Sequence, residues 1–175
     1  MANCFYSLKN SEKAILYYKQ ALEIDEKLPD LHYNLGNAYY LEGNIDEAIK
    51  CYNKSVELNP NKNECYYNLG NAYSLQEDYN KAVEFYKKSI SLNDKNQAAI
   101  YNLGNAYYLL ENHSECVKSY LAALELEANS PECHFNLGTV YSDMKQFEDS
   151  IKHYKESIKI DPSNMDAHIC LSNAY

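Results

Sequence analysis

The sequence predicts an all-α fold built from one repeated pair of helices, and two observations carry that prediction. The triplet Asn-Leu-Gly recurs at residues 34–36, 68–70, 102–104 and 136–138, an unbroken period of 34. Within the period two apolar stripes follow helical spacing i, i+3, i+4, i+7: His32, Leu35, Gly36 and Tyr39, then Ile45, Ala48, Ile49 and Tyr52. A glycine inside a helix costs about 1 kcal/mol relative to alanine. Gly36, Gly70, Gly104 and Gly138 therefore need a shared packing reason, and close helix contact supplies one.

Taking that glycine as position 8 of the unit divides the chain into a partial unit at 1–28, full units at 29–62, 63–96, 97–130 and 131–164, and the start of a further first helix at 165–175, all one continuous array. The partial unit holds the end of a first helix and a second helix bearing Ala14, Tyr18 and Ala21. Each full unit opens with a first helix carrying Leu35, Leu69, Leu103 or Leu137 at position 7 and Tyr39, Tyr73, Tyr107 or Tyr141 at position 11, a column continued in Phe5 and Tyr175. A turn around Glu42–Asn44 follows in the unit 29–62. Asn44 with Glu47, and Asn112 with Glu115, occupy the N-cap and its third-residue partner at the start of second helices. Those helices carry small residues at position 20 (Ala48, Ala82, Cys116, Ser150), tyrosine at 24 (Tyr52, Tyr86, Tyr120, Tyr154) and small residues at 27 (Ser55, Ser89, Ala123, Ser157). Pro60 and Pro162 stop the second helices they follow.

These columns resemble the tetratricopeptide repeat, whose pattern has an aromatic at 4, Leu-Gly at 7 and 8, Tyr at 11, Ala at 20, an aromatic at 24, Ala at 27 and Pro at 32. The resemblance spans essentially all 175 residues. Departures are few: position 4 is His32, Tyr66, Ile100, His134 and His168 rather than Trp, and position 32 is Asp94 and Ala128 in the middle units. The resemblance implies an α-solenoid, a right-handed superhelix of antiparallel pairs whose first helices line a concave groove. Stacking is also a physical requirement, since one helix pair cannot cover its own apolar face. Both ends fall inside a unit, Met1 at position 7 and Tyr175 at position 11. The expectation is a segment of a longer array that self-associates end to end through uncapped termini.

A net charge of −9, carried against only sixteen basic residues, all lysine, excludes nucleic acid, which calls for a basic stripe and arginine forks. A neutral to basic protein or peptide is the expected partner. No run of about 18 apolar residues is present, so no membrane span is expected. The start lacks the layout of a signal peptide, and the six cysteines show neither C-x-x-C pairing nor regular spacing. They read as structural thiols of a cytoplasmic, reducing compartment. No ligand set for a metal, no phosphate loop and no nucleophile with base and orienting group is visible, so neither cofactor nor catalysis is expected. His32, His134 and His168 read as packed residues at position 4.

Function is then sought on the face that the fold leaves over. At 100° per residue, positions 2, 5, 9 and 12 form a second stripe roughly 130° from the core stripe. It carries Tyr33, Tyr67 and Tyr101 at position 5, Asn37, Asn71 and Asn105 at 9, and Tyr40 and Tyr108 at 12; Asn34, Asn68, Asn102 and Asn136 at position 6 lie just beyond. Amides offer both a donor and an acceptor, which suits the backbone of an extended peptide, and tyrosine adds apolar area with a hydroxyl. Acidic position 2, Asp30, Glu64, Glu132 and Asp166, prefers lysine or arginine on the ligand. Two subtypes of the family can be compared by residue. The carboxylate clamp of co-chaperones needs Lys at position 5 of its first unit and cations at 2 and 6 of its third, where this chain has Tyr33, Ala98 and Asn102. The O-GlcNAc transferase type lines its groove with asparagine at position 6, as here, though its catalytic domain is absent. The leading reading is a protein-interaction scaffold or adaptor. The alternatives are a stacking element of a larger assembly and the substrate-docking region of such an enzyme.

Overall fold

A computed structural model describes residues 11–174, and among them the secondary structure is wholly α-helical. The chain divides into two compact units, residues 1–94 and 95–175. The first contains α1 (Ser11–Ile24), α2 (Pro29–Leu41), α3 (Ile45–Leu58), α4 (Asn63–Leu75) and α5 (Tyr79–Leu92). The second contains α6 (Gln97–Leu109), α7 (His113–Leu126), α8 (Pro131–Asp143), α9 (Phe147–Ile160) and α10 (Met165–Asn173). Helices α2 with α3, and α4 with α5, form hairpins in the first unit; α6 with α7, and α8 with α9, do so in the second. Each hairpin also packs on the next helix of its own unit, α3 on α4 and α7 on α8. This is the helix-pair solenoid that the periodicity predicts. Met1, Phe5 and Tyr175, which the sequence reading assigns to repeat columns, lie outside the described residues.

Every hairpin turns by the same local chemistry. After α2, the Gly43 N–H bonds the Tyr40 carbonyl at 3.0 Å and the Asn44 N–H bonds the Tyr39 carbonyl at 2.9 Å. This is a Schellman motif, which requires a left-handed residue at its centre. Gly43 meets the requirement with φ of 76°, but the equivalent residues in the other hairpins are Glu77, Glu111 and Lys145, at φ of 61°, 56° and 59°. The second helix starts immediately. Asn112 caps α7 by accepting from the Glu115 N–H, and Asp78 caps α5 by accepting from the Lys81 N–H. Asn44 stands at the N-cap of α3 without a side-chain cap bond, and Glu47 and Glu115 ion-pair with Lys50 and Lys118 in place of reaching back to the cap. Proline is not what ends the second helices. α5 and α7, followed by Asn93-Asp94 and Glu127-Ala128, stop at the same position as α3 and α9 and with the same extended C-cap backbone.

The core explains the glycines. Tyr52, Tyr86, Tyr120 and Tyr154 are at most 2 % exposed, and a Cβ at Gly36, Gly70, Gly104 or Gly138 would lie 2.5–2.7 Å from the ring of its own hairpin's tyrosine. Ring and glycine are thus one packing unit. Position 27 proves to be more than a small residue. Ser55, Ser89 and Ser157 donate to the carbonyls of Pro29, Asn63 and Pro131, pinning the end of each second helix to the start of its first helix. Position 20 has the opposite character: Ser150, where α3 and α5 carry alanine, is fully buried with no hydrogen-bond partner for its hydroxyl among the described residues. The histidine column departs from the packed expectation at one site. His168 is exposed and donates to the Pro162 carbonyl, while His32 and His134 are half-buried.

Candidate functional site

The asparagines of first helices are tied into the core before they are available to anything else. Each buried tyrosine donates its hydroxyl to position 9 of its own hairpin: Tyr52 to Asn37 at 2.8 Å, Tyr86 to Asn71 at 2.8 Å and Tyr120 to Asn105 at 2.6 Å. In the last hairpin Tyr154 donates to Thr139 at 3.3 Å. Within each unit, position 6 of the later first helix then bridges back. Asn68 Nδ2 donates to Asn37 Oδ1 at 2.8 Å and lies 3.5 Å from the Tyr33 hydroxyl; Asn136 Nδ2 donates to the Tyr101 hydroxyl at 2.9 Å and to Asn105 Oδ1 at 3.4 Å.

This network decides which way each amide points. Asn37 Oδ1 accepts both bonds, so its Nδ2 faces outward; Asn68 and Asn136 spend Nδ2, so their Oδ1 faces outward. Those three atoms have no partner among the described residues, and all are half-buried rather than sealed, since Ser150 Oγ is the only buried unpartnered side-chain polar atom found among the same residues. Asn34 is half-buried and makes no side-chain hydrogen bond among the described residues. Asn102 Oδ1 lies 3.5 Å from Asn105 Nδ2.

The position-5 rings tilt onto the buried tyrosines, with centroids of Tyr33–Tyr52, Tyr67–Tyr86 and Tyr101–Tyr120 at 6.1, 6.2 and 5.6 Å. Tyr33 is further covered by Lys62, whose ammonium sits 4.4 Å from its ring centre and also pairs with Asp30. One of the acidic position-2 residues is therefore already neutralised. Tyr40 and Tyr108 are half-buried, and burial raises both phenols, Tyr108 to about 12 with help from its 2.9 Å hydrogen bond to Asp143.

Sequence reasoning passed over position 13. Leu41, Leu75 and Leu109 are 58, 60 and 54 % exposed at the ends of α2, α4 and α6, on the same helical stripe as positions 6 and 9. A leucine recurring every 34 residues just before a turn was the signal that could have found it. In the second unit a cleft of about 230 Å³ opens beside Leu109, floored by Tyr120 and Val140.

Other reactive groups are quiet. Burial pushes the Cys65 thiol up to about 11 and those of Cys116 and Cys133 to about 12, which removes the thiolate. His134 and His153 are hydrogen-bonded to each other through Nδ1 atoms 3.0 Å apart. Among the described residues no group of three or more His, Cys, Asp or Glu side chains could hold a metal ion, and no helix is long and apolar enough to cross a membrane.

With this geometry in place, the comparisons agree with one another. Residues 29–62, 64–96 and 131–164 match the family model "Tetratricopeptide repeat", and residues 2–43 and 104–145 match a second described as "TPR repeat". A search of the curated proteins finds no match. Among solved structures, MamA superposes with a TM-score of 0.90 at 22 % identity, covering 93 % of this chain and 95 % of that one. MamA from Desulfovibrio magneticus RS-1 superposes at 0.88 with 20 % identity, over 94 and 93 % of the two chains. YrrB, titled a TPR protein with an unusual peptide-binding site, superposes at 0.89 with 22 % identity, over 98 and 88 %.

Proposed function

Because the chain belongs to the tetratricopeptide repeat family, we propose that it is a non-catalytic protein-interaction scaffold of a reducing, cytoplasmic setting that holds an extended peptide against its first helices. The carrying observation is the pair of outward-facing amide atoms in the first unit. Asn37 Nδ2 can donate to a peptide carbonyl while Asn68 Oδ1 accepts from a peptide N–H, so the C=O and N–H of one extended residue are gripped without regard to its side chain. In the second unit Asn136 Oδ1 offers the same acceptor. Asn34, Asn71, Asn102 and Asn105 continue the columns, Tyr67 and Tyr101 give ring area, and Tyr40 and Tyr108 give hydroxyls at the stripe's end. Glu64 and Glu132, exposed at position 2, favour a neutral or basic ligand. The peptide-binding site of the structurally similar YrrB supports this reading.

The test uses fluorescein-labelled ten-residue peptides containing two lysines, measured by anisotropy. Methylating successive backbone nitrogens should weaken binding by about 0.5–1.5 kcal/mol at the gripped residue, the worth of one hydrogen bond. Equal binding of methylated and parent peptides would overturn the reading.

A further inference from the structure

We propose that the cleft over Thr139 and Val140 is an anchor pocket for one large apolar side chain of the bound peptide, with a lysine or arginine beside it on Asp143; this rests on the peptide-binding reading. Three columns change together in this one hairpin. Position 9, asparagine in Asn37, Asn71 and Asn105, becomes Thr139; position 10, alanine in Ala38, Ala72 and Ala106, becomes Val140; position 13, leucine in Leu41, Leu75 and Leu109, becomes Asp143. The first exchange trades an amide for a hydroxyl and a methyl group and the second adds two methyl groups, both where the cleft opens. The third puts a carboxylate at its edge.

The cleft's shape follows from those exchanges. Tyr120 and Val140, 2 % and 1 % exposed, form a floor that cannot move outward, because Tyr120 is tied to Asn105 through its hydroxyl. Thr139 forms one wall, its Oγ1 turned to the Phe135 carbonyl, and Leu109 forms the rim. At about 230 Å³ the space exceeds the apolar cavity of about 150 Å³ that accepts benzene, so a leucine, methionine or phenylalanine side chain fits. Water there meets few polar partners and is readily displaced. Asn136, also lining the cleft, presents its free Oδ1. A peptide residue that donates its N–H to that oxygen has its side chain at the mouth. Asp143 is exposed, accepts from the rim residue Tyr108 with Oδ2, and has no cationic partner among the described residues. A cationic neighbour of the anchoring residue would complete it.

The test has two arms on the full chain. In the first, a ten-residue Ser/Gly/Ala host peptide with one varied position, followed by lysine, is measured by anisotropy. Leucine, methionine and phenylalanine should bind at least about tenfold more tightly than serine at that position. Thr139→Asn, which installs the residue of the other hairpins and so keeps the fold, should erase that preference, and Asp143→Asn should erase the advantage of lysine over glutamine. Binding of all variants with equal affinity would overturn the pocket and leave the peptide reading standing. Failure of every peptide to bind would overturn the peptide reading. The second arm then judges the pocket alone: N-acetyl-leucinamide is titrated against methyl-labelled protein. Shifts concentrated at Leu109, Thr139 and Val140 support the pocket, and their absence overturns it.

Discussion

At the scale of single residues, the glycines and the turn residues obey opposite rules, and magnitudes decide each case. Alanine in place of Gly70 gains about 1 kcal/mol of helix propensity. It also places a Cβ 2.5 Å from the Tyr86 ring, which is 2 % exposed and held by its hydroxyl to Asn71 and Ser74. Overpacking of that kind costs about 1–3 kcal/mol. Gly70→Ala should therefore lower the urea midpoint at unchanged helical signal, and an unchanged or raised midpoint would refute the ring-glycine unit. Glu111 is the reverse case, a side chain held at φ of 56° where the equivalent residue of the first hairpin is Gly43. The left-handed region costs a non-glycine residue about 1–2 kcal/mol, and the exposed Glu111 side chain makes no hydrogen bond or ion pair among the described residues that would offset it. Glu111→Gly should raise thermal stability by up to about 1 kcal/mol, read as a higher melting temperature. The glycine columns announced themselves by period alone. The turn residue did not, because three of its four occupants are ordinary charged side chains whose conformation comes from the Schellman bonds around them.

At the scale of helices, the two helices of a hairpin are joined, in one hairpin of each unit, by an aromatic sandwich that the sequence shows only in part. Positions 4 and 11 read as core from spacing. The ring between them sits on the second helix at position 23, where the occupants are as different as Cys51, Phe85, Ser119 and His153. In the first unit Phe85 lies between Tyr66 and Tyr73 at 6.4 and 5.3 Å; in the second His153 lies between His134 and Tyr141 at 5.3 and 5.5 Å. Burial, then the neighbouring His134 and Lys152, pushes the His153 imidazole down to about 4, against a smaller opposing pull from Asp149 and Glu156. Unfolding returns it to an ordinary histidine near 6.5, so protons are taken up on unfolding and stability falls as pH drops from about 6.5 toward 4. His153→Phe, which copies the Tyr66–Phe85–Tyr73 sandwich, should flatten that part of the profile. Equal loss in both proteins between pH 7.5 and 5 would show that the drop arises elsewhere. The same limit on legibility governs the candidate site. Spacing brought the asparagines to one face, but whether an amide spends its donor or its acceptor depends on a tyrosine 15 residues onward and an asparagine 31 residues onward.

At the scale of the whole chain, stability should be a sum over hairpins and their nearest neighbours, because each described helix packs within its hairpin or on the adjoining helix. Such a chain has no single irreplaceable centre. Deleting residues 29–62 removes α2 and α3 with the Ser55 and Asn37 bonds they carry, and brings α1 up to α4. The face that α4 then offers to α1 carries Tyr66, Leu69 and Tyr73 where α2 had His32, Leu35 and Tyr39, a near match in shape. The shortened chain should keep its helical signal per residue. Its denaturant slope, which scales with surface exposed on unfolding, should fall by about a fifth, the share of the 175 residues removed. Its midpoint should fall as well, since one set of hairpin contacts is gone while end effects stay constant. The removed hairpin also holds one member of the Asn37–Asn68 pair but none of the Thr139 cleft. Peptide affinity should thus drop while the preference for leucine over serine persists. A deletion variant that loses its helical signal altogether would show that folding is global, and that the period marks ancestry of the sequence without energetic independence of its parts.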